Sequence, residues 1–112
     1  VSTADDDGTN YLYGLMRGRY PDHPPRGVID LGYDVLVEFT VNGDGTRVGL
    51  LETHRAPDGS ECAGSVTFDV PQARAKGPRW TVHSLDPLHL EPSILCSCGH
   101  HGFIREGRWV PV

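Results

Sequence analysis

Sulfur and imidazole crowd one short segment near the C-terminal end, Cys96-Ser97-Cys98-Gly99-His100-His101-Gly102. Thiolate and neutral imidazole are the ligands a structural zinc ion takes, four at a time in a tetrahedron. Cys98 and His101 have C-x2-H spacing, short enough for both to reach one ion from a tight turn, and Gly99 and Gly102 let the backbone curl around it. Cys96 offers a third ligand, so the fourth must come from another part of the chain. Cys62 is the first choice because it ends a turn between two predicted strands. His54, at the start of that turn, is the second, and His100 competes with its neighbour His101. The expected site is Cys62, Cys96, Cys98 and His101 around a structural Zn2+, with no catalytic residue and no further cofactor.

Other chemistries find less support. Redox pairs usually place two residues between their thiols at a helix start, whereas here only Ser97 intervenes and no helix pattern follows. A catalytic metal needs an open position and a nearby acid or base. Glu91 and Glu106 are close in sequence, but neither belongs to an H-E-x-x-H pattern. G-x-S-x-G, P-loop, paired-acid and deaminase motifs are absent. His23, His83 and His89 are read as surface or hydrogen-bonded histidines. Trp80 and Trp109 are read as bulk for a small core.

The elements that must carry this site are short. At 112 residues with nine prolines, fourteen glycines and 38% apolar residues, the chain has a modest core that a metal would reinforce. Residues 1–10 read as a flexible acidic tail around Asp5, Asp6 and Asp7, and 11–112 as a single β-rich domain. Tyr11 to Met16 is a first apolar patch, and Tyr20 to Gly27 an irregular proline-rich connection. Val35, Val37, Phe39 and Val41 alternate with Asp34, Leu36, Glu38 and Thr40, the period of a half-buried strand. Asn42-Gly43-Asp44-Gly45-Thr46 turns the chain, and Arg47 to Thr53 returns as its partner. A second turn is expected over His54 to Cys62, with Pro57-Asp58-Gly59 at its tip. Further strands are expected at Ser65–Val70, Trp80–His83 and Leu88–Leu90, followed by a C-terminal hairpin turning near Glu106-Gly107. The fold class is mainly β: a small antiparallel sheet or sandwich-like domain, little helix, and a zinc-knuckle hairpin at its end.

Net charge is −5, with five arginines against twelve acids in residues 1–70 and five basic residues against three acids in 71–112. No basic cluster with interleaved aromatics marks a nucleic-acid surface. No apolar run approaches the ~18 residues of a membrane span, and the expectation is a protein without a secretion signal.

The run from Trp80 to Val112 resembles the C-terminal half of small proteins of unknown function from actinobacteria and their tailed bacteriophages. Ser84-Leu85-Asp86-Pro87-Leu88, Pro92-Ser93-Ile94-Leu95-Cys96 and Cys98 through Trp109 carry the resemblance. It implies a phage or prophage origin, a metal site that includes Cys98 and His101, and a location in host cytoplasm or virion. The leading expectation is a non-enzymatic, zinc-stabilised structural or protein-interaction module with a protein partner. The alternatives are a zinc-dependent hydrolase or nuclease, and a host-directed inhibitor or regulator of a defence protein.

Overall fold

The computed structural model of the chain describes Met16, Arg17, Asp22 and residues 27–112. The acidic tail, most of the first apolar patch and most of the proline-rich connection fall outside the described residues. Nine strands run in antiparallel pairs through three sheets among those described. The first sheet has the order β1 (Ile29–Asp30), β2 (Leu36–Val41), β3 (Arg47–Arg55) and β4 (Glu61–Thr67). β5 (Thr81–Leu85) pairs with β6 (Leu88–Glu91), and β7 (Ile94–Leu95), β8 (His101–Arg105) and β9 (Arg108–Pro111) form the third sheet. The mainly β expectation therefore holds.

Register explains where the core ends and the polar site begins. Phe39 opposes Leu50, and Leu50 opposes Val66; Val37 opposes Glu52, Glu52 opposes Gly64, and His54 opposes Cys62. Because alternate residues share a sheet face, one face of β3 presents Leu50, Glu52 and His54 in sequence. Leu50 belongs to the apolar cluster with Val35, Val37, Phe68, Leu88, Leu90, Ile104 and Trp109. Two residues further along, the same face becomes a carboxylate and then an imidazole, both buried.

Three hairpins turn in the same way. Asn42 N–H donates to Thr46 O and Gly45 N–H to Asn42 O; Ala56–Ser60 and Cys96–His100 repeat this pair of bonds. Each turn has a glycine at its fourth position with positive φ: Gly45 at 88°, Gly59 at 86° and Gly99 at 96°. This is a type I turn closed by a G1 bulge, and its left-handed fourth position suits glycine. The middle turn is shorter than expected: His54, Arg55, Glu61 and Cys62 lie in strands, and the turn proper is only Ala56 to Ser60. That extension puts His54 directly across from Cys62 rather than in a loose loop.

Main-chain bonds tie the three sheets together, among them a parallel bridge of Phe68 with Trp80 in which Trp80 N–H donates to Thr67 O at 2.9 Å and Asp69 N–H to Trp80 O at 2.8 Å. Gly107 N–H donates to Leu88 O at 2.8 Å, and Trp109 N–H to Leu31 O at 2.8 Å. The chain reverses between β5 and β6 at Asp86-Pro87 and leaves β6 through Pro92; both prolines follow cis peptides.

Candidate functional site

The β3–β4 and β7–β8 hairpins meet at their tips. His54 Nε2, Cys62 Sγ, Cys96 Sγ and Cys98 Sγ all lie within 4.8 Å of one another. His54 Nε2 is 3.2 Å from Cys98 Sγ, and Cys62 Sγ is 3.5 Å from Cys96 Sγ. Around a tetrahedral ion with ~2.3 Å metal–sulfur bonds, ligand atoms are ~3.5–3.8 Å apart. The four donors therefore fit a metal ion with little rearrangement, two from each hairpin. His54, Cys62, Cys96 and Cys98 could hold a metal ion. His101 is outside this group.

Cys98 shows how a C-x-C spacing makes a knuckle. In the first two turns the third residue is aspartate, and its carboxylate accepts the backbone N–H two residues on: Asp44 from Thr46, Asp58 from Ser60, each at 2.9 Å. The hydroxyls of Thr46 and Ser60 donate to the same oxygens, and these bonds hold both carboxyls below the usual aspartate range. Cys98 occupies the corresponding position of the third turn. Burial pushes its thiol up, but the His100 N–H, the His54 imidazole and Cys96 outweigh burial and bring it down to about 7. A turn built to stabilise an anion thus stabilises a thiolate. Cys62 sits in a strand without such a donor, and burial and then the neighbouring Cys96 and Cys98 push it up to about 12.

Glu52 supports His54 from behind. Its carboxylate is 3% exposed, and its oxygens are 2.7 and 2.9 Å from His54 Nδ1. A buried carboxylate is tolerated when it is paired, and Nδ1–H supplies the partner. Burial alone would lower His54. The Glu52 hydrogen bond and charge, with Cys98 and Cys96, instead raise it to about 9. This bond orients the ring so that Nε2 faces Cys98, the carboxylate–histidine–metal arrangement once Nε2 gives up its proton to an ion. Gly64 lies opposite Glu52 on β4, where a Cβ would meet Oε2 at an ordinary contact distance of 3.9 Å.

Rings complete the wall of the site. His100 stacks on His54 at 3.9 Å and 8°, and on Trp109 at 4.7 Å and 16°. Burial and the nearby His54 charge both lower His100. Gly102 has a different reason from the backbone curl expected of it. A Cβ at Gly102 would lie 2.5 Å from Trp109 Cε2, so glycine makes room for the indole. Trp109 fills core, as expected, and also backs the imidazole stack.

His101 lies on the other side of β8. Its Nε2 is 2.8 Å from Ser93 Oγ, in the connection between β6 and β7. Register accounts for the contact: Ile94 opposes Gly102 and Leu95 opposes His101, so Ser93 is a same-face, diagonal neighbour of His101. Trp80 Nε1 donates to Ser93 O at 3.2 Å and anchors the connection. A hydroxyl bonded to an imidazole is the minimal arrangement of an activated nucleophile and its base. Both residues are half-buried, and they flank the Cys96–His100 turn.

The sequence reading named Cys62, Cys96, Cys98 and His54 among candidate ligands but missed Ser93 and Glu52. Ser93 precedes His101 by eight residues, an even spacing that a hairpin centred on Cys98 converts into same-face proximity. Glu52 and His54 form an E-x-H pair on one strand face, a signal visible once Leu50 is assigned to the core.

No curated protein and no solved structure matches the chain. A family model does match, over residues 38–112, with the description bacterial ubiquitination-like system serine protease (BubE). The match runs from within β2 to Val112 and includes the Cys/His cluster, Ser93 and His101, and by it this chain belongs to the BubE family.

Proposed function

We propose that this chain is a serine hydrolase of a bacterial ubiquitination-like system, cutting acyl–nitrogen bonds of protein substrates, with a structural zinc ion bracing its catalytic hairpin. The carrying observation is the 2.8 Å contact between Ser93 Oγ and His101 Nε2, and the family's description names serine protease chemistry. Ser93 donates its hydroxyl proton to Nε2 as Oγ attacks the substrate carbonyl carbon. His101 then passes that proton to the leaving nitrogen as the carbon–nitrogen bond breaks. Water, deprotonated by His101, attacks the resulting ester, and Ser93 recovers its proton.

Three cysteines and one histidine favour zinc among common divalent ions. When bound, zinc supplies folding free energy and closes the knuckle. Held by His54, Cys62, Cys96 and Cys98, the ion would brace the hairpin and leave the chemistry to Ser93 and His101. Cys96 and Cys98 lie between Ser93 and His101 in sequence, and closing their turn fixes the β7–β8 register on which the pair depends. The sequence favoured a non-enzymatic module; the Ser93–His101 contact favours turnover.

Reaction with a fluorophosphonate probe, followed by peptide mass spectrometry, tests the assignment. The expected result is one adduct on Ser93, absent in Ser93→Ala and slowed at least ~100-fold in His101→Gln. Adducts elsewhere, or none, would overturn it.

A further inference from the structure

The Ser93–His101 pair lies beside an open strand edge. β7 is one of the two edge strands of its sheet. Cys96 N–H donates to His100 O at 2.8 Å, which makes Cys96–His100 a hydrogen-bonded pair of the antiparallel ladder. Pairs alternate along such a ladder. Leu95, opposite His101, is therefore at a non-hydrogen-bonded position, and its own N–H and C=O point away from β8. Among the described residues no strand covers that side of β7. An unpaired edge with one donor and one acceptor is a template for another extended chain.

Two details fix the register of such a chain. Trp80 Nε1 already occupies Ser93 O, closing the edge on its N-terminal side. Pro92 has no N–H to offer beyond that. Leu95 is then the pairing position left on β7. Its side chain is 66% exposed and projects on the face that holds Ser93 and His101. Burying it against an apolar neighbour on an incoming strand is favourable.

We propose, building on the hydrolase reading, that the site takes its substrate as an extended polypeptide segment added to the edge of β7. One substrate residue exchanges both main-chain hydrogen bonds with Leu95 and lays an apolar side chain beside it. At ~3.3 Å per residue, the bond presented to Ser93 lies two residues along the substrate. The substrate class is therefore unstructured tails and linkers with an apolar residue at that spacing, rather than folded surfaces or small esters.

Phosphonylation rates of Ser93 by two probes separate this proposal from the reading beneath it. Acetyl-Val diphenyl phosphonate tests the nucleophile alone, and acetyl-Val-Thr-Val diphenyl phosphonate adds the segment that reaches Leu95. The longer probe is expected to react about tenfold faster, as two added hydrogen bonds allow. N-methylation of its first valine should remove that gain, and N-methylation of the threonine should not. Leu95→Pro, which deletes the N–H without touching the β7–β8 ladder, should slow only the longer probe. Leu95→Ala should keep the alternating sensitivity to N-methylation if the proline variant fails to fold. Equal rates for the two probes, or a gain indifferent to the first N-methyl group, would overturn edge addition while leaving the nucleophile standing. Failure of both probes to label Ser93 would overturn both.

Discussion

Adding one methyl group at Gly102 is expected to disturb the metal centre through two aromatic rings. The Cβ of Gly102→Ala would lie 2.5 Å from Trp109 Cε2 and Cζ2 and 2.8 Å from Nε1. Ordinary carbon contacts are ~3.5–4.0 Å, so the indole must retreat by about 1 Å. Trp109 is 3% exposed and packed in the core, and its ring lies 4.7 Å from His100, which lies 3.9 Å from His54. Overpacking of this kind costs about 1–3 kcal/mol, or roughly 5–15 °C in Tm for a domain of this size. Thermal melts of the metal-loaded protein, with tryptophan fluorescence and a chelator competition for zinc, read the three effects together. Zinc affinity should fall along with Tm. A double variant, Gly102→Ala with Trp109→Leu, should be less destabilised than the two single costs combined, because the truncated side chain vacates the contested space. Gly99→Ala is the contrasting control: with φ at 96° and no atom within 4 Å, it costs stability through the turn backbone alone. A Gly102→Ala protein that melts with the parent, or additive costs in the double variant, would refute the steric argument.

Cys98→Asp should preserve the β7–β8 turn, since aspartate already fills that position in the turns at Asp44 and Asp58, yet lose most affinity for zinc. Cys98→Ala should lose both, and hydrogen exchange at His100 with a zinc titration distinguishes them. Glu52→Gln, which keeps the shape but removes the charge behind His54, should weaken zinc binding about 10–100-fold, measured by competition with a chelating dye; unchanged affinity would mean Glu52 does not orient the ligand. Zinc must displace protons held by Cys62, at about 12, and His54, at about 9. At least these two protons leave near pH 7, and Cys98, at about 7, adds part of a third, so affinity should rise at least about 100-fold per pH unit between pH 6 and 7.5, and a flat profile would contradict the ligand set.

The β2–β3 hairpin was the most legible part of the chain because both of its signals are local. Alternation of Val35, Val37 and Phe39 sets the face, and Asn42 to Thr46 sets the turn. Even there the pattern overreaches: Val41 shares the apolar alternation but is 57% exposed at the end of its strand. The sulfur and imidazole cluster was legible as composition, and Cys62 was placed by the turn beside it. The role of His54 depended on the five-residue length of the Ala56–Ser60 turn, which Pro57-Asp58-Gly59 alone does not define. One pattern did lie open in the text. Asn-Gly-Asp-Gly-Thr, Ala-Pro-Asp-Gly-Ser and Cys-Ser-Cys-Gly-His share glycine at the fourth place, with an aspartate or a cysteine before it. Ser93 was the least legible residue. Its meaning depends on a diagonal contact across a hairpin whose register follows from the turn between Cys96 and His100. Gly102 looked like a flexible knuckle residue, whereas a ring seven residues later requires it.

The most direct measurement is the rate at which a fluorophosphonate labels Ser93 in the metal-loaded protein, after chelation, and after reloading with zinc or cadmium. The account predicts rapid labelling when loaded, loss on chelation, and recovery with either ion, because the metal holds the hairpin and takes no part in the chemistry. Labelling unaffected by chelation would contradict the coupling between the metal knuckle and the Ser93–His101 pair, and recovery with zinc but not cadmium would contradict a purely structural metal.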